Sequence, residues 1–368
     1  MQNGPAEEED LLKISGWNSV GLVMALGVSI VAGAQTGTQT AAPQKAPAPQ
    51  TAPAPAAGQQ PGLQLHNMGE LPKPDPFPAP NPKYFTANAP SVDTVNAFLK
   101  TLWGYDANRI WRVEAIQKTT APSVSKVVVF VSDKTPNAKV QPTAFFVSPD
   151  GKHAIAGDSV IPFGATPFAD LRQMLQSRAD GASRGAASKD LMLVEFADMQ
   201  CPHCKEAQAT MDNLVKDMPN AHVVFQSYPL VELHPYAYKA AAYGYCVQKQ
   251  KNDAFFVYSA AVFDAQDALT AETGDETLKS AVTKAGLDPA AVDACAATPA
   301  TKAQVDASIK LAEEVGVEQT PMLAVNGRMV PLTGVSYDLL KTIISFQASL
   351  DGVTTGSAPG VAPPSLTK

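Results

Sequence analysis

The stretch Leu191-Met192-Leu193-Val194-Glu195-Phe196-Ala197-Asp198-Met199-Gln200-Cys201-Pro202-His203-Cys204 decides how the chain is read. Its opening run is apolar except for Glu195, which is the pattern of a central strand buried on both faces. A four-residue loop follows, then two cysteines separated by Pro202 and His203. Proline suits the first position of a helix, where its missing N–H has no partner to lose. The stretch therefore predicts strand, turn and helix, the helix running over about 202–218. Cys201 then stands exposed at the helix N-terminus, over free backbone N–H groups that favour a sulfur anion. Cys204 comes one turn later and points inward.

That pair meets the two needs of disulfide exchange, a reachable thiolate and a second thiol close enough to close the ring. Cys201 is the nucleophile and Cys204 the resolving thiol, and His203 adds a donor able to stabilise the Cys201 anion. Such thiolates titrate between about 3.5 and about 7, and a lower value makes the disulfide a stronger oxidant. The same spacing also serves zinc, and an inert buried pair is a third reading. Three neighbours favour redox chemistry: the apolar strand before, Pro202 after the first cysteine, and Thr320-Pro321 just ahead of a later strand.

Downstream, 223–227 reads as a second strand. A long helical stretch over 236–315 is broken by turn signals at Gly274, at Gly286-Leu287-Asp288-Pro289 and at Thr298-Pro299. Residues 322–325 and 329–332, joined by Asn326-Gly327, make a hairpin. A last helix spans 337–350, and 351–368 has the composition of a disordered tail. Upstream, 178–190 is rich in small and charged residues and reads as a linker. Before it lies a small α+β domain, 84–177. Val95, Phe98, Leu99 and Leu102 share one helical stripe, followed by strands over 110–116, 126–132, 143–147 and 153–156 and a helix over 167–177. Trp103, Tyr105 and Trp111 read as the core of that unit.

Val194-Glu195-Phe196, Cys201-Pro202-His203-Cys204 and Gln319-Thr320-Pro321 with the strand after it resemble the DsbA-like branch of the thioredoxin superfamily, over 191–350. The resemblance implies fold class α/β: a thioredoxin-like fold with a helical insertion, preceded by the small α+β domain. It implies a cis bond between Thr320 and Pro321, with Pro202, Thr320 and Pro321 binding the extended backbone of a substrate. It gives Glu195 the place of a buried acid that moves the proton of the resolving cysteine; a water-facing glutamate is the bland reading. Asp198 reads as solvated, and His234 as a capping or packing residue. Cys246 and Cys295 are candidates for a disulfide stapling the insertion, as in some relatives, for two buried free thiols, or for a second redox relay. Residues 84–163, with the aromatic strand and Asp-Gly turn of 143–157, resemble the N-terminal domain of the DsbC and DsbG isomerases, which implies a homodimer; a generic α+β extension reads equally well.

The remaining features bound the function. The chain has 368 residues, a net charge of -7 and 17% charged residues, with no basic cluster for nucleic acid. Its five histidines are scattered, so no metal site is expected, and the chemistry implies no cofactor. Residues 20–34 form an uncharged apolar run ending in Ala32-Gly33-Ala34, the mark of a signal peptide or an uncleaved anchor, although Glu7, Glu8, Glu9 and Asp10 precede it with only Lys13 as a cation. Residues 35–83 are a Pro/Ala-rich disordered linker. The expected activity is an exported, periplasmic or extracytoplasmic thiol–disulfide oxidoreductase. It acts on secreted proteins with free thiols or disulfides and is recycled by a membrane redox partner. A disulfide isomerase or reductase kept reduced by a membrane donor, and a non-catalytic periplasmic peptide-binding module, are the alternatives.

Overall fold

Helix α1 (Val92–Trp103) begins where the Ser91 hydroxyl accepts the Thr94 N–H at 3.1 Å. Its apolar stripe lies on an antiparallel five-stranded sheet, β1 (Arg109–Lys118), β2 (Ser125–Asp133), β3 (Gln141–Val147), β4 (His153–Ala156) and β5 (Ser159–Pro162), in that spatial order. The computed structural model describes residues 76–356, and the segments assigned from sequence to export, to most of the linker and to the end of the tail lie outside them. Phe98, Leu99 and Trp103 of α1 meet Val127, Val129 and Phe145 of the sheet, with Phe163 closing over Phe98 at 4.7 Å between ring centres. Each such buried side chain contributes roughly 1.5–3 kcal/mol of transfer free energy. Alternate residues face solvent, and there Phe146, Ile155 and Val160 line up in register across β3, β4 and β5 as an exposed apolar row.

Helix α2 (Ala169–Arg178) leads to a second five-stranded sheet. Its strands are β6 (Ala182–Gly185), β7 (Leu191–Ala197), β8 (Ala221–Ser227), β9 (Met322–Val325) and β10 (Arg328–Pro331), in the order β10-β9-β7-β8-β6. β7 is central, parallel to β8 and antiparallel to β9, and all seven of its residues are buried. Leu191 and Leu193 point to α3 (Pro202–Asp217) and α9 (Tyr337–Leu350); Met192, Val194 and Phe196 point to α2 and α8 (Pro299–Glu314). Between β8 and β9 the chain adds α4 (Ala237–Gln250), α5 (Asn252–Asp264), α6 (Gly274–Lys284), α7 (Pro289–Ala296) and α8. The β9–β10 turn has Asn326 at φ 46° and Gly327 at φ 89°, the left-handed pair that a two-residue hairpin turn demands.

Two expectations need correction. The segment taken as a linker contains β6, an edge strand paired antiparallel with β8 and held by Asn252, which both donates to Ser183 O (2.7 Å) and accepts its N–H (3.0 Å). Tyr105 does not serve the first sheet's core. Its ring packs edge-on against Phe346 of α9, 6.5 Å away.

The two sheets belong to one compact unit, and a buried cation ties them together. Arg328 of β10 is 4% exposed, yet its guanidinium donates to the carbonyls of Thr101 and Leu102, in the last turn of α1, and to Gln347 Oε1 (3.0 Å). Helix C-termini leave such carbonyls unpaired and electronegative. Phe168 flanks the guanidinium at 4.9 Å. Burial lowers the Arg328 pKa to about 10, still charged at neutral pH.

Candidate active site

β7 ends at Ala197 and the chain turns through 198–200 into α3, with Cys201 at the N-cap and Pro202 at the first helical position. Cys201 makes no side-chain capping bond, so its sulfur is left over the first turn. Cys201 and Cys204 are both free thiols. The Cys201 thiol is lowered to about 5, chiefly by a hydrogen bond from the Cys204 thiol, then by the Thr320 hydroxyl and by the backbone N–H groups of Cys204 and His203, against partial burial. Burial and the bond to Cys201 push the Cys204 thiol far up, while the Asp198 N–H donates to its sulfur at 3.4 Å. One sulfur is thus set to be an anion at neutral pH and the other to stay protonated.

Cys201 was expected to be exposed and is only 5% exposed. The cover comes from the Thr320–Pro321 segment, whose peptide bond is cis, and from the helical insertion. The Cys201 sulfur lies 3.8 Å from Thr320 O, and the Thr320 hydroxyl, buried and without another partner among the described residues, lies beside the sulfurs. His203 assists through its backbone N–H; its ring lies in solvent, paired with Glu206 at 3.0 Å. That pairing raises the His203 pKa.

Glu195 sits on the central strand at 2% exposure, so the water-facing reading is excluded. Its Oε1 accepts from Gln208 Nε2 at 2.8 Å, and the same amide donates to Cys204 O at 3.0 Å, linking the acid to the Cys204 backbone. Burial raises the Glu195 pKa to about 7, against the opposing pull of Gln208 and Arg184. An unfolded glutamate titrates near 4.5, so between those pH values the native state holds a proton that the unfolded chain releases. The stability contribution is complete below about 4.5 and is lost as pH rises through about 7, a change on the order of 3 kcal/mol. Glu195→Gln is expected to flatten this slope, measured as urea-unfolding free energy from pH 4.5 to 8. An unchanged slope would show that Glu195 is not the titrating group.

Asp198, read from sequence as solvated, is 1% exposed. Its carboxylate accepts the N–H groups of Gln200 (2.7 Å) and Leu230 (2.8 Å) and meets His234 Nδ1 at 2.8 Å. Those three partners satisfy a charge that burial would otherwise make costly. His234 thereby gains a defined place beside the redox turn. Cys246 of α4 and Cys295 of α7 form a disulfide with Cα atoms 6.0 Å apart, so the reading as free thiols falls. Gln200, Gln208 and Gln266, all bonded around the dithiol, gave no sequence signal beyond the i+4 spacing of Gln208 from Cys204.

The sequence model of a family described as Thioredoxin matches residues 178–345. Over residues 178–345 the chain is similar to that family. A free, strongly asymmetric dithiol at a helix start is suited to thiol–disulfide exchange. Solved structures similar to it include a thioredoxin-like oxidoreductase from Silicibacter pomeroyi (23% identity, 48% of this chain and 98% of that chain, TM-score 0.42). The thiol-disulfide exchange protein alpha-DsbA2 from Wolbachia pipientis is 19% identical over 48% of this chain and 95% of that one, with TM-score 0.41. BdbD from Bacillus subtilis is 20% identical over 47% and 94%, with TM-score 0.41. Among curated proteins, a Na(+)/H(+) antiporter, NhaA 1 of Salinispora arenicola, is 36% identical over 58 residues, 16% of this chain and 9% of the antiporter. The similarity of residues 178–345 to the Thioredoxin family and the geometry of the dithiol are what bear on this chain's function.

Proposed function

We propose that the protein is an extracytoplasmic dithiol oxidase that forms disulfides in secreted proteins. The observation that carries the direction is the asymmetry of the dithiol, with Cys201 lowered to about 5 and Cys204 pushed up. A stabilised thiolate favours the reduced form and so makes the Cys201–Cys204 disulfide give up its oxidising equivalents readily. The Cys246–Cys295 disulfide supports a location outside the reducing cytoplasm.

In the forward reaction a client thiolate attacks Cys201 Sγ of the oxidised pair. The Cys201–Cys204 bond breaks, a client–Cys201 bond forms, and Cys204 leaves with a proton supplied through Glu195. A second client thiolate then attacks the client sulfur and releases the Cys201 thiolate. The client loses two electrons and two protons, and the enzyme holds the electrons as its dithiol. Thr320 and Pro321 flank the sulfurs where the client backbone must pass. A membrane redox partner that accepts the two electrons completes the cycle.

The reduction potential of the Cys201–Cys204 couple tests the direction. Equilibration with glutathione is expected to place it near about −120 mV, the oxidising end of the family's range. A value near about −270 mV would overturn the oxidase reading in favour of a reductase or isomerase.

A further inference from the structure

The redox turn is latched to the helical insertion from both sides. Gln266, in the short 3-10 turn Gln266–Ala268 after α5, donates from its one amide nitrogen to the carbonyls of Met199 and Cys201, each at 2.9 Å. Gln200 answers from the turn, donating to Leu269 O at 3.1 Å while its own carbonyl accepts the Tyr236 N–H at 2.8 Å. We propose that Gln266 is a positioning residue for the reaction, fixing the peptide frame on which the Cys201 sulfur stands.

The need for such a residue follows from the N-cap itself. A serine or aspartate at that position anchors the first turn by accepting a backbone N–H. Cys201 forgoes that bond because its side chain is the nucleophile. Its carbonyl, accepting from Cys204 N (3.1 Å) and Lys205 N (3.3 Å), starts the helix instead. Gln266 grips that same carbonyl from outside and also satisfies the carbonyl of Met199, a residue only 2% exposed. The N–H groups of His203 and Cys204 that face the sulfur belong to the next peptides along. Their aim depends on how firmly the Cys201 carbonyl is held. The inference rests on the dithiol reading and adds a residue from the insertion to that site.

The test uses the full chain with Gln266→Met, which keeps volume and loses the donor, and Gln266→Ala. Asn252→Ala serves as the control, because Asn252 makes a matching two-bond latch from the same insertion to Ser183, on β6. The readouts are the melting temperature and the pH profile of Cys201 alkylation. Both Gln266 variants are expected to move the Cys201 midpoint up by about one pH unit, slowing alkylation at pH 5 about five-fold as the thiolate fraction falls from a half to a tenth. Asn252→Ala is expected to lower the melting temperature and leave that midpoint in place. The proposal is overturned if the Gln266 variants titrate like the parent, or if Asn252→Ala shifts the midpoint equally. A parent chain whose Cys201 titrates like an ordinary thiol would instead sink the dithiol reading on which the inference rests.

Discussion

Cys201→Ser is expected to reduce turnover by about 10³-fold or more, to the level of the uncatalysed background, in an assay of disulfide formation in a reduced client. A serine hydroxyl is fully protonated at neutral pH and cannot form the mixed disulfide. Cys204→Ser gives the complementary result. In that variant the Cys201 thiolate still attacks a client disulfide, but nothing resolves the product. The enzyme should then run on a non-reducing gel as a covalent complex that dissolves on adding reductant. If Cys204→Ser turned over like the parent, Cys204 would have no resolving role, and the far-raised pKa of its thiol would have no part in the reaction. A peptide-binding module without turnover predicts the opposite for both variants, with client retention unchanged.

Cys246→Ala with Cys295→Ala is expected to cost about 4 kcal/mol of stability. The bond closes a loop with a sequence separation of 49, and the loop-entropy model assigns a loop of that size about 4 kcal/mol. The lost bond also exposes a weakness in packing. Cys246 is fully buried among Tyr243, Val247 and Tyr258, so α4 and α7 lose contact as well as a tether. Urea unfolding without reductant, with and without the Cys246–Cys295 pair in a Cys201→Ser, Cys204→Ser background, measures the difference. A loss below about 1 kcal/mol would show that the insertion is held by its apolar core alone. Because Cys201 and Cys204 share that core, the same variant should also release part of the dithiol's cover.

Much of this site was legible along the chain because its signals are local. The apolar run of β7 and Pro202 after Cys201 gave strand, turn and helix from adjacent residues. Asn326-Gly327 announced its hairpin for the same reason. What was missed depends on partners far away in sequence. Asp198 is buried because Leu230 and His234, over thirty residues later, close around it. Cys201 loses its exposure to Thr320, 119 residues downstream. β6 went unread because Ser183, Arg184 and Gly185 carry no strand preference; the edge of β8 and Asn252 impose the conformation. His203 was expected at the sulfur, but an acid one helical turn on, Glu206, takes its ring.

The tie at Arg328 separates two ideas of a boundary. Similarity starts the family match at residue 178, yet the guanidinium finds its carbonyl partners at Thr101 and Leu102. A fragment trimmed to the matched stretch would lose Thr101, Leu102 and Gln347, the three hydrogen-bond partners of that guanidinium. The excisable module is therefore longer than the one that sequence kinship outlines, and the first sheet is as much a part of its foundation as the strands beside the sulfurs.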